Sequence, residues 1–198
     1  MMDAFIVERV KLVFQDKGYK FFENGDYNVN LIGVRRDTRT PNRFDDFFML
    51  IYKIQGMWVS HWFYCTTDAG LFYLKHPIVQ KGCALLKEGQ YRGAYQLGMH
   101  KGSYEALVQS KPVTVYRDNN RDGIMDFDAP TDTGLFGINI HKAANFPTKS
   151  FLVDKWSAGC QVIQDQHDFD YLIRICNESA KRYGNSFTYT LTHENDYT

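Results

Sequence analysis

The sequence predicts an α+β fold that is mainly β, with one helix near each end, and three observations carry that expectation. Aromatic residues make up 16% of the chain, with 15 Phe and 13 Tyr, and such side chains favour pleated, half-buried surfaces. From Tyr27 onward, short apolar runs are broken by Gly, Asn, Asp and Pro, the punctuation of strands and turns. The i, i+3, i+4 spacing of an amphipathic helix is clear only near the two ends. At 198 residues the chain has the size of a single domain able to bury a real core.

Taken in order, Asp3 to Asp16 place Phe5, Val7, Val10, Leu12, Val13 and Phe14 at mostly helical spacing, and Lys17-Gly18 end that helix. Asn28 to Val34, Phe47 to Gln55 and Met57 to Thr66 read as strands, the last two joined as a hairpin by a tight turn at Gln55-Gly56. Thr38 to Asp46 is a polar loop. The nearby cations Arg35, Arg36, Arg39 and Arg43 read as solvated, with the binding of acidic groups as the alternative. His61 lies among Trp58, Trp62, Phe63 and Tyr64, which suits a half-buried strand as well as a ligand wall. Leu71 to His76 and Cys83 to Leu86 are further strand candidates.

Gly89, Gly93, Gly98 and Gly102 then recur every four or five residues, which argues for close turns and an irregular connection bordering a cleft. Val113 to Tyr116 reads as a strand. Asp118 to Asp126 follows the first half of a calcium loop, but Ala129 stands at the twelfth place where a bidentate glutamate belongs, and ordinary Asx capping makes a hairpin turn of the same residues. Asp165 to Tyr183 carries a Phe169, Leu172, Ile173, Cys176 stripe, with Asp165 or Asp168 to cap its start and Gly184 to end it. Ser186 to Thr192 alternates as a final strand, and the tail HENDYT is expected to be mobile.

Composition removes several function classes. The 23 basic and 23 acidic residues balance, so no overall field draws the chain to nucleic acid. Cys65, Cys83, Cys160 and Cys176 lack zinc-site spacing and disulfide density, which suggests free thiols. No metal or cofactor is called for. The opening MMDAFIVERVKLVF has charges inside its apolar stretch, unlike a signal peptide or membrane span.

The chemistry concentrates between Gly134 and Val162, GLFGINIHKAANFPTKSFLVDKWSAGCQV. A cysteine attacks as its thiolate, and an imidazole nearby can take the proton. His141 and Cys160 are the candidate pair. Asn139, two residues before His141 on a candidate strand, shares its face. Ser157, Ala158 and Gly159 are small, so a substrate backbone can approach, and the Gly159 and Cys160 N–H groups could hold an oxyanion. His100 and Gln161 are candidate substrate contacts. A buried cysteine and a satisfied core histidine are the competing reading.

With His141 and Cys160 nineteen residues apart and Ser157, Gly159 and Cys160 in place, the segment resembles the signature of the L,D-transpeptidases, in which a strand histidine precedes Ser-His-Gly-Cys. Ala158 stands where that signature has its second histidine, Lys142-Ala143 where Gly-Thr is frequent, and Val162 where an arginine is usual. The resemblance implies a sandwich-like domain that attacks peptidoglycan stem peptides at a carbonyl joining an L-centre to D-alanine, through a thioester. Hydrolysis would give a carboxypeptidase or endopeptidase, and an amine acceptor a transpeptidase. Small phage and prophage enzymes of this kind imply a lytic role, with a protein made in the cytoplasm and reaching the wall on release. An inactive wall-binding module and a phage structural or host-interaction protein are the alternatives.

Overall fold

The computed structural model describes residues 2–38, 40–143 and 149–198. Its strands are β1 (Asn30–Arg35), β2 (Asp46–Ile54), β3 (Met57–Thr66), β4 (Cys83–Leu86), β5 (Gly89–His100), β6 (Tyr104–Gln109), β7 (Val113–Asp118), β8 (Thr131–Gly134), β9 (Ile140–Lys142), β10 (Gln161–Ile163) and β11 (Phe187–His193). The helices are α1 (Met2–Asp16), α2 (Leu71–Lys75) and α3 (Gln166–Tyr183). The class is therefore α+β and mainly β.

The expected sandwich gives way to a closed barrel, in the order β1-β11-β5-β6-β9-β10-β3-β2, beside a three-stranded sheet ordered β4-β7-β8. Closure comes from β1, which pairs antiparallel with β2 and parallel with β11. Hydrogen bonding on both sides leaves β1 no free edge, and a period-two pattern carries no information about which strands meet at the seam.

Local chemistry accounts for the elements. The β2–β3 hairpin turns through Gln55 (φ 51) and Gly56 (φ 76), the two positive angles that a tight hairpin turn needs. Both faces of β1 and β2 are covered. Leu31, Phe48, Leu50 and Tyr52 join the main core with Phe63, Tyr189 and the α3 residues Phe169, Leu172, Ile175 and Cys176. On the opposite face, Val7, Val10 and Phe14 of α1 pack on Ile32, Val34, Met49 and Ile51. Each fully buried side chain of this size contributes roughly 1.5–3 kcal/mol, so α1 is held by packing. Asp165 caps α3 by accepting the His167 N–H at 2.8 Å, and Gly184 (φ 85) ends it.

Four further expectations are corrected. Leu71–Lys75 is a helical turn, since its Leu74 buries against Cys83 and Leu85 while Phe72 stays exposed. The glycine-rich stretch is the β5–β6 hairpin, in which Gly98 sits where a Cβ would press on Val108 Cγ2 at 2.8 Å. The tail folds back as a 3-10 turn, Glu194–Tyr197, closed by a capping box between His193 and Asp196, and Arg9 Nη2 donates to Tyr197 O at 2.8 Å. Arg35, expected to be solvated, is 1% exposed. It pairs with Asp68 at 2.9 Å and with Glu88, donates to Thr67 Oγ1 at 3.0 Å, and lies over the Phe127 ring. Asp46 completes this buried cluster by accepting Thr67 N (2.7 Å), Thr67 Oγ1 (2.8 Å) and Arg36 N (2.9 Å). Arg39 of the same basic group lies outside the described residues.

The stretch 119–130 links β7 to β8, which pair antiparallel, so it serves as a long hairpin connection. Its side chains cap the loop's own backbone: Asn120 Oδ1 accepts Asp122 N, Asp122 Oδ1 accepts Ile124 N, and Asp118 Oδ2 accepts Asp126 N. Among the described residues no group of three or more His, Cys, Asp or Glu is placed to hold a metal ion, and no helix is long and apolar enough to cross a membrane.

Candidate active site

Strands β9 and β10 run parallel, with Gln161 beside Ile140 and Val162 beside His141. Neighbours in register point to the same side and successive residues to opposite sides. Ile140 and Ile163 therefore enter the main core, while His141 and Val162 turn away from it, and Cys160, two residues before Val162, packs against the small cluster of Phe44, Ala143, Val153 and Val162. His141, Cys160, Asn139 and His100 all line one cleft of about 530 Å³, a size typical of small-ligand sites. Its apolar lining comes from Ile78, Val79, Leu135, Phe136 and Trp156.

The turn before the cysteine is built on a glycine. Gly159 has φ +127, and a Cβ there would collide with the carbonyl oxygen of Ala84. Ser157 is fully buried and pins the turn from both directions: its Oγ accepts the Gly159 N–H at 3.0 Å and donates to Cys160 O at 2.8 Å. The Gly159 N–H is thus engaged, contrary to the expectation that it would help to hold an oxyanion. The Cys160 N–H has no acceptor among the described residues. The thiol rests between Gly137 and Asn139, donating to Gly137 O at 3.3 Å and accepting the Asn139 N–H at 3.4 Å.

His141 is 3% exposed. Its Nδ1 donates to the carbonyl of Lys142 at 2.8 Å, which places the proton on Nδ1 and leaves the Nε2 lone pair available as a base. Burial, helped by the neighbouring His100, pushes the imidazole pKa down to about 3, so it is neutral near pH 7. His100 stacks on it with ring centroids 4.3 Å apart. Asn139 fixes His100 in turn: its Oδ1 accepts Gln109 N at 2.9 Å, so its amide NH2 faces His100 Nδ1 at 3.2 Å and the His100 proton lies on Nε2.

Gln161 lies away from the cleft. It is fully buried, its Nε2 donates to Thr67 O at 3.3 Å, and its Oε1 accepts the Tyr189 hydroxyl at 2.8 Å inside the barrel. The residues that sequence reasoning missed act mainly through backbone carbonyls, those of Gly137 and Lys142, which leave no mark in the amino-acid order. Tyr104, whose hydroxyl lies 3.5 Å from His141 Nδ1, is likewise unmarked.

Burial raises the Cys160 thiol above its ordinary value of 9.0, with the Asn139 N–H and the Lys101 charge pulling the other way. The resting pair is therefore neutral thiol and neutral imidazole. Alkylation by iodoacetamide, followed at Cys160 by mass spectrometry, should rise only at alkaline pH with a midpoint above 9. A rate plateau reached near pH 6 would instead mean a preformed thiolate–imidazolium pair.

No family model, no curated protein and no solved structure matches the chain.

Proposed function

We propose that the chain is a cysteine enzyme of peptidoglycan stem peptides, working in the manner of the L,D-transpeptidases, with hydrolysis as its main outcome. One observation carries the reading: Cys160 and His141 open onto one cleft, with the imidazole tied at Nδ1 and available at Nε2.

In this reading the Cys160 thiol leaves Gly137 O and passes its proton to His141 Nε2 as the sulfur attacks the donor carbonyl carbon. The Cys160 N–H holds the oxyanion, a contact worth about 2.7–4 kcal/mol per donor in acyl-transfer enzymes. Collapse breaks the C–N bond, and His141 returns the proton to the leaving amine. A thioester remains. Water then attacks it with His141 as base, giving a carboxylic acid and the free thiol. Neutrality of both groups at rest suits such a concerted transfer, because no separated charge has to be kept in a partly enclosed cleft.

The test is digestion of purified peptidoglycan with wild type and Cys160→Ala, with mass spectrometry of the muropeptides. Shortened stem peptides from wild type alone are expected. Wild type releasing nothing, or Cys160→Ala releasing the same fragments, would overturn the proposal.

A further inference from the structure

The charges around the cleft are one-sided. Lys101, Arg117 and Lys155 line it, and among the described residues no Asp or Glu does, although the whole chain is balanced at 23 basic and 23 acidic residues. Arg117 is partly spent, since its Nε and Nη2 each lie 3.2 Å from Asp132 and its guanidinium covers Phe136. Lys155 sits over the Phe72 ring at 4.3 Å. Lys101 and Lys155 form no ion pair among the described residues, and the two differ in position. Lys101 occupies the β5–β6 turn at φ +49, directly after His100, and the turn is closed by Ser103 N donating to His100 O at 2.9 Å. The strand end that hands His100 to the His141 stack therefore also places Lys101 in the lining of the cleft that His141 and Cys160 share. The Lys101 charge is felt at Cys160, at His100 and at His141.

We propose that Lys101 receives the terminal carboxylate of the departing residue, so that the cleft selects peptides cut one bond from a free C-terminus over internal or amidated ones. This rests on the acyl-transfer reading of the same cleft and settles its outcome as exopeptidase: the C–N bond to the last residue breaks, and that residue leaves as a free amino acid with its amine protonated by His141. A charge-assisted hydrogen bond of this type corresponds to roughly 10- to 100-fold in affinity.

The inference is tested by binding, separately from turnover. Calorimetry at low ionic strength compares a synthetic stem tetrapeptide ending in an L-centre–D-alanine bond, as free acid and as C-terminal amide, on the Cys160→Ala protein. The acid should bind about 10- to 100-fold tighter. Adding Lys101→Gln should remove that preference, Lys101→Arg should keep most of it, and Lys111→Gln, a lysine of the β6–β7 turn, should leave it intact. Equal affinity for acid and amide, no binding of either, or a preference that survives Lys101→Gln would overturn the proposal. Wild-type turnover is read on the same two peptides. Lys101-dependent binding without cleavage would keep the carboxylate site and remove the enzyme, whereas equal cleavage of acid and amide would keep the enzyme and remove the site.

Discussion

Exchanging His141 for asparagine should lower turnover of a stem peptide by about 10²–10⁴-fold, the range that a positioned general base supplies, with little change in melting temperature. Asparagine carries its amide nitrogen at the place of Nδ1 and can still donate to Lys142 O, so the local hydrogen bond survives, but it offers no basic nitrogen to the thiol. The pH profile separates this role from a structural one. With its pKa held near 3 by burial, His141 stays unprotonated well below the ordinary imidazole value of 6.5, and wild-type kcat/KM should show no acid limb centred near pH 6.5. Such a limb would mean a solvated imidazole. The sign for stability follows from the same shift: as pH falls from 6.5 towards 3, the unfolded chain takes a proton that folded His141 refuses, so this residue's contribution is full above pH 6.5 and is lost on acidification.

Arg35→Met should cost roughly 3–5 kcal/mol of folding stability, measured by urea denaturation at pH 7 to 8, because it leaves buried acids without their cation. Arg35 faces Asp68 and Glu88 directly, and the Asp46–Thr67 hydrogen bonds adjoin it. Burial and the Asp68 charge push the Asp46 carboxyl up to about 7 in the folded protein. A raised carboxylate contributes stability that is complete below its unfolded value near 3.8 and is lost as pH rises through 7. The deficit of Arg35→Met should therefore be largest at pH 8 and shrink towards pH 5, as the stranded acids protonate. A deficit independent of pH would mean that the methionine fails by shape.

Much of this was legible in the amino-acid order. The two long helices announced themselves through apolar spacing, the second also through its candidate cap at Asp165, the β2–β3 hairpin through Gln55-Gly56, and the catalytic candidates through the Ser157-x-Gly159-Cys160 turn with a histidine nineteen residues upstream. What stayed hidden depends on partners distant in sequence. Glycines at 93 and 98 look like turns until Ser186 and Val108 are seen to occupy the space of their missing side chains. Arg35 reads as a loop cation until Asp68 and Glu88 arrive from other elements. The Gly159 N–H looked available because nothing in the sequence says that the Ser157 hydroxyl turns back to claim it.

The seam between β1 and β11 has a kinetic consequence. Leu31 lies against Tyr189 and Arg35 against His193, so residues near the beginning of the chain wait for residues near its end before the ring can shut. Contacts of such long sequence separation form slowly, because a large loop must close before any reward is collected. During synthesis strands β1 and β5 would each present an unpaired side, and the fully buried β1 in particular would expose the nascent polypeptide to aggregation.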